Sequence, residues 1–185
     1  MEYAVRDLMV PLSEYATVPT GSSVFEAVFA LEKAQEEYDH SKYHHRAVLV
    51  MDQDGKVVGK LSQLDVLRSI NAGNRQMEEI GEIGRFGFSP NFIGAMHEKH
   101  RPKGRSLQEI CRNPAKMRVE EFMQAPSEYE YIRVDASLDE AIHQLAAGPY
   151  LSLMVMEEGS VIGILRMSDV FAAIFHAMKE NETSG

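Results

Sequence analysis

Ser23-Val24-Phe25-Glu26-Ala27-Val28 is answered 114 residues later by Ser137-Leu138-Asp139-Glu140-Ala141-Ile142. The same offset carries Val5-Arg6-Asp7-Leu8-Met9 onto Val119-Glu120-Glu121-Phe122-Met123. Further along it falls to 104, and Gly55, Gly59, Asp65 and Val66 return as Gly159, Gly163, Asp169 and Val170. An internal repeat decides what the folding unit is before any single element is assigned. It also puts two aspartates in equivalent positions, so a pocket lined by one has a sibling lined by the other.

Each copy reads in the same order. A short helical turn ending in Met is followed by an extended segment, Ala16–Pro19 or Tyr131–Val134. Ser23-x-x-Glu26 and Ser137-x-x-Glu140 then fit the capping box, in which Ser accepts from the first free amides and Glu reaches back. Val24, Ala27, Val28, Leu31 and Ala34 form an apolar stripe at helical spacing behind the first. Leu138, Ala141, Ile142 and Leu145 do so behind the second, stopped by Gly148-Pro149. Ala47–Met51 and Lys56–Leu61 around Asp52-Gln53-Asp54-Gly55 read as a hairpin, copied by Ser152–Met156 and Val161–Leu165 around Gly159. A closing helix is expected near Ser62–Ile70 and near Ser168–Lys179. The drop in offset means ten additional residues between the first helix and the second strand of the first copy, around Glu36–His45.

Composition bounds the rest. With 185 residues, 44% hydrophobic and 25% charged, the chain is an ordinary globular sequence of one or two domains. Its apolar runs are too short to span a bilayer, which argues against a membrane protein. The N-terminus lacks the basic-then-apolar pattern of a signal peptide, and one cysteine, Cys111, allows neither an internal disulfide nor a cysteine metal site, so a cytoplasmic location is expected. The net charge of −9 argues against nucleic acid as a partner, yet residues 71–117 carry +3 and leave −12 for the remainder. That Gly-containing segment is an insert between the repeats, with short helices expected near 75–83 and after a capping box at Ser106-x-x-Glu109.

The opening Val-x-x-x-Met, the Ser-hydrophobic-x-Glu-Ala helix start and the hydrophobic–Gly–hydrophobic hairpin carry a resemblance. So, more specifically, does Gly59-Lys60-Leu61-Ser62-Gln63-Leu64-Asp65, which matches a Gly-x-x-Ser/Thr-x-x-Asp motif. The chain resembles a tandem pair of cystathionine-β-synthase-type (CBS) domains, the Bateman module, over residues 1–70 and 117–180. The resemblance implies an α/β (α+β) fold of two pseudo-symmetric β-α-β-β-α repeats packed through their sheets. The expected division is 1–70 for repeat one, 71–117 for the insert, 118–180 for repeat two and 181–185 for a disordered tail. It further implies a regulatory module, not an enzyme, that binds an adenosine-containing ligand (AMP, ADP, ATP or S-adenosylmethionine) in clefts between the repeats and forms a homodimer. With no fused effector in the chain, the regulated protein is expected to be a separate one or absent.

The residues support such a site chemically. A strand ending at Leu61 and feeding a helix at Ser62 leaves free amides and the positive helix end available to an anion. The two oxygens of Asp65 match the two donors of a ribose diol, and Gly59 permits close approach. Ser62-x-x-Asp65 is equally a capping box that needs no ligand; on that reading the chain is a ligand-free interaction or dimerisation module. In repeat two Arg166 stands where Ser62 would be, and Arg cannot cap a helix, so Ser168 is the expected cap of a later-starting helix. Arg166 either meets a phosphate or pairs with Asp169 and closes the pocket; the sequence leaves both open. The resemblance points adenine towards Ala16, Thr17, His45 and Arg46 in repeat one, and towards Glu130-Tyr131 and Leu151-Ser152 in repeat two. In the insert, Arg101, Lys103 and Arg105 are candidate phosphate contacts on a flap. His40 and His44, beside His45 and Asp39, have the spacing of a metal pair but no third ligand, so no metal is assigned. Nothing marks a catalytic nucleophile.

Overall fold

The structure, a computed structural model, describes residues 3–37, 44–72 and 106–183. Repeat one contains β2 (Thr17–Pro19), α2 (Val24–Glu37), β3 (Ala47–Met51), β4 (Val57–Ser62) and α3 (Gln63–Ala72), preceded by α1 (Val5–Leu8) and β1 (Val10–Pro11). After α4 (Leu107–Cys111), repeat two supplies β5 (Tyr131–Arg133), α5 (Leu138–Ala147), β6 (Ser152–Glu157), β7 (Ser160–Arg166) and α6 (Met167–Thr183). The mixed α/β order β-α-β-β-α is present twice. Helix α6 reaches Thr183, three residues into the stretch expected as a disordered tail. The helix expected near 75–83 lies outside the described residues.

The sheets run β2-β3-β4 and β1-β7-β6-β5. β2 is parallel to β3 and β5 to β6, each pair bridged by a helix, whereas the hairpins β3–β4 and β6–β7 are antiparallel. Val50 faces Gly59 and Val155 faces Gly163. β3 and β6 are therefore 105 residues apart and β4 and β7 104 apart. This refines the expected placement of the ten additional residues: nine precede β3 and the tenth is in the hairpin turn. Gly55 and Gly159 hold those turns at φ +76° and +83°, a region in which a side chain is strained.

Strand alternation sorts the core. Val48, Val50 and Leu61 face α2, packing on Ala27 and Leu31. Leu153, Val155 and Leu165 face α5 and α6, packing on Ala141, Leu145 and Val170. The opposite faces supply Leu49, Met154 and Ile164, which meet Val10 and Tyr15 in a third cluster between the two sheets. β3 is thus buried on both faces, which is why it reads as an uninterrupted apolar run. Of the expected helix starts, Ser23 makes the full reciprocal box with Glu26, and Ser106 makes it with Glu109. Ser137 makes only the half in which its hydroxyl accepts from the Glu140 amide, at 3.1 Å.

The opening turns are exchanged between repeats. Val5 is fully buried among Ile132, Val134, Leu153 and Leu165, while Val119 is fully buried among Ala16, Val18, Val48 and Leu61. The Val5 amide donates to the Ala136 carbonyl at 3.1 Å and the Val119 amide to the Ser22 carbonyl at 2.9 Å. β1 pairs with β7, Val10 opposite Ile164; its counterpart Gln124 bridges Lys60 on β4. Gly163 is what allows this, since a β-carbon there would stand 2.6 Å from the Val10 carbonyl oxygen. At Gly59 the same place is taken by the Met123 side chain.

Candidate functional site

The junction of β4 and α3 holds Asp65, only 2% exposed. The Ser62 amide and hydroxyl donate to its Oδ2 at 2.9 and 2.6 Å, and the Asp65 amide donates back to the Ser62 hydroxyl at 3.2 Å, a complete capping box. Oδ1 accepts from Gln124 Nε2 at 2.9 Å and from Arg68 Nη1 at 3.0 Å. Burial pushes the carboxyl up, and the hydrogen bonds from Ser62, Gln124 and Arg68 outweigh it, holding the group below the ordinary aspartate range. Asp65 is therefore an ionised, two-oxygen acceptor, and its Oδ1 is covered by two exposed side chains. One of those, Gln124, comes from repeat two, so the partners of Asp65 are drawn from both repeats.

The other residues expected around it divide. Thr17 and Arg46 are exposed, and the Arg46 carbonyl accepts from the Gln63 amide at 3.0 Å, anchoring the start of α3. Ala16 is buried against Val18 and Val48, with its carbonyl taken by the Leu49 amide. The close approach that Gly59 permits in this structure is that of Met123.

His45 is brought to the junction of β7 and α6 in repeat two. Its fully buried ring lies against Tyr15, centroids 4.6 Å apart, with Nδ1 3.4 Å from Arg166 Nη1 across the repeats. Burial, then the Arg166 charge, lowers its pKa to about 4, so the imidazole is neutral near pH 7. Arg166 turns its fork onto Asp169, Nε to Oδ2 at 2.5 Å and Nη2 to Oδ1 at 2.8 Å. Of the two roles left open for Arg166, the structure holds the ion pair. The expectation that Ser168 caps a later helix is corrected: α6 starts at Met167, the counterpart of Gln63 at the start of α3, and its amide donates to the Leu151 carbonyl at 2.9 Å. The Arg166–Asp169 fork replaces the capping box at the same three-residue spacing, so the helix loses no turn. Tyr131 packs in the cluster between the sheets. Before it, the Glu130 carboxylate accepts from Lys60 Nζ at 2.7 Å, another bond between repeats.

Sequence reasoning missed Gln124 and Arg68. Arg68 was legible as an i+3 partner of Asp65; Gln124 was not, because the bond depends on the exchange of the opening turns. The candidate phosphate contacts Arg101, Lys103 and Arg105 lie outside the described residues, as do Asp39 and His40. Among the described residues no group of three His, Cys, Asp or Glu is placed to hold a metal ion. No helix among them is long and apolar enough to cross a membrane.

A family model described as CBS domain matches residues 5–72 and 119–176, more than half of the chain. No curated protein sequence matches it. Among solved structures, CBSX2 from Arabidopsis thaliana is 19% identical, with a TM-score of 0.60 over 97% of this chain and 99% of that one. A structure of CBSX2 in complex with AMP is 20% identical, with a TM-score of 0.58 over 95% and 98%. The cytosolic domain of the Mg2+ channel MgtE in complex with ATP is 22% identical, with a TM-score of 0.53 over 90% of this chain and 46% of that one. At these identities the likeness establishes the fold.

Proposed function

The chain belongs to the CBS-domain family, carrying the domain twice, and on that premise we propose that it is a regulatory module that senses an adenine nucleotide, not an enzyme. The nucleotide seats its ribose on Asp65 in the cleft between the repeats. One observation carries this reading: Asp65 is a buried, ionised acceptor whose Oδ1 is held, among the described residues, by two exposed side chains, Gln124 and Arg68. A diol can take their place while both return to water, and Arg68 is then free to meet a phosphate. AMP in one relative and ATP in another support the ligand class; ADP and S-adenosylmethionine share the adenosyl group and are the comparison ligands. Occupancy acts on a separate effector protein in the cytoplasm by favouring one arrangement of the repeats, which requires different affinities in the two arrangements.

Calorimetry tests the site. AMP or ATP should bind wild type, and Asp65→Asn, which keeps the volume and a capping oxygen, should bind about 10–100-fold more weakly, the loss of hydrogen bonds to a charged group. Equal binding by the folded variant sinks the reading. The second reading, a ligand-free interaction module, is favoured by the complete capping box at Ser62–Asp65 and predicts no nucleotide binding at all.

The partner proposed for the helices is a second copy of the chain. Phe25 and Phe29 on α2, Leu64 and Leu67 on α3, and Phe171, Phe175 and Met178 on α6 are exposed on helical faces of both repeats. An apolar surface carried by both halves of a pseudo-symmetric chain suits an isologous contact. Light scattering should give twice the mass of one chain, and Phe25→Ser with Phe29→Ser should weaken that association at least tenfold. A wild type that stays single at micromolar concentration excludes the dimer.

A further inference from the structure

We infer that Arg68 selects the ligand by charge, so that the Asp65 site takes a nucleoside bearing a 5′-phosphate in preference to adenosine or S-adenosylmethionine. The inference rests on the reading of Asp65 as a nucleotide site and goes further by fixing which adenosyl ligands that site admits. The backbone around Asp65 has little left to offer a phosphate. The Ser62 amide donates to Asp65 Oδ2 at 2.9 Å, the Gln63 amide to the Arg46 carbonyl at 3.0 Å and the Asp65 amide to the Ser62 hydroxyl at 3.2 Å. The Ser62 hydroxyl itself donates to Oδ2 at 2.6 Å. These groups at the start of α3, which the sequence made available to an anion, are committed within the chain. Recognition of a phosphate therefore falls to a side-chain cation.

Arg68 is the cation already at the carboxylate. Its Nη1 donates to Asp65 Oδ1 at 3.0 Å, yet its side chain is 57% exposed. Three residues along α3, it lies on the same face of the helix as Asp65, one turn on. A ribose diol that takes Oδ1 releases the guanidinium without burying it, and leaves it within reach of the 5′ substituent across the sugar ring. A phosphate there gives Arg68 a charge-assisted, bidentate partner in exchange for the one it lost. Adenosine gives it none, and the sulfonium of S-adenosylmethionine brings a like charge to the same place. Lys60, whose backbone pairs with Gln124, does not compete for this role, because its ammonium lies 2.7 Å from the Glu130 carboxylate. Arg46, exposed beside the start of α3, is the rival that the test has to separate.

Calorimetric titration of the whole chain with AMP, adenosine and S-adenosylmethionine reads the selection. Wild type is expected to bind AMP about tenfold or more tightly than adenosine, the gain from hydrogen bonds to a charged group, with S-adenosylmethionine weakest. Arg68→Gln removes the charge from an exposed position and should weaken AMP about tenfold or more while adenosine binds no worse, which closes the gap. Arg68→Lys keeps a point charge and should retain part of the gap. Asp65→Asn, by contrast, should weaken AMP and adenosine together, because both carry the diol. Adenosine bound by wild type as tightly as AMP, or S-adenosylmethionine bound most tightly, overturns the inference. So does a gap that survives Arg68→Gln, which assigns the phosphate to Arg46 or another cation. An equal loss of AMP and adenosine in that variant overturns it too, since Arg68 would then be supporting the site and not reading the phosphate. Each of these results leaves the Asp65 reading standing as long as Asp65→Asn weakens adenosine. A wild type that binds none of the three ligands overturns the Asp65 reading and the inference together.

Discussion

Asp169→Ala is expected to lower the unfolding free energy by about 3–5 kcal/mol, the range for removing one partner of a buried ion pair. The cause is the residue left behind. Arg166 is 5% exposed, keeps its charge at any accessible pH and sends two donors to Asp169. Truncation of Asp169 removes the carboxylate that accepts from both Nε and Nη2 of this buried guanidinium. Replacing both members with apolar side chains, Arg166→Met with Asp169→Leu, should recover most of the loss, because a buried pair contributes little beyond a well-packed apolar equivalent. Urea denaturation with an unchanged slope reads the difference. A loss below about 1 kcal/mol for Asp169→Ala would mean that water reaches Arg166 and that its pair is a surface one.

Glu130→Ala should cost about 2–3 kcal/mol, somewhat less than the full buried-pair penalty. Lys60 and Glu130 keep 18% and 10% side-chain exposure, and the lysine stem allows its ammonium to shift towards water. The bond ties β4 of repeat one to the residue before β5 of repeat two, across 70 positions of sequence. The repeat itself supplies the control. The counterparts of Lys60 and Glu130 are Ile164 and Ala16, both buried and apolar. Lys60→Ile with Glu130→Ala therefore installs a combination this fold already accommodates, and should be clearly more stable than Glu130→Ala alone. If the double variant is the less stable of the two, the polar pair is specifying how the repeats meet, and the apolar comparison fails.

What the sequence makes legible is what spacing encodes. The capping residues Ser23, Ser106 and Ser137, the glycine turns at Gly55 and Gly159 and the apolar run Ala47–Met51 each report a local geometry. Two copies in one order were enough to set out the β-α-β-β-α repeat. Choice of partner is not encoded in that way. Val5 and Val119 announce an apolar side, but nothing nearby says that each is buried in the other repeat; that follows from Gly59 and Gly163 admitting the opposite turn. The same exchange brings Gln124 to Asp65, so the cover of the candidate site was hidden for the same reason. Arg166 stood at a real fork, since both a phosphate and a carboxylate suit a guanidinium. The carboxylate three residues on in the same helix turn is the partner it holds in this structure.

The most direct test of the account is a crystal structure of the protein grown with AMP. The predicted result has the ribose hydroxyls within hydrogen-bonding distance of the Asp65 carboxylate and Gln124 moved off Oδ1. Saturating AMP with Gln124 still on Asp65 and no nucleotide beside it would contradict it.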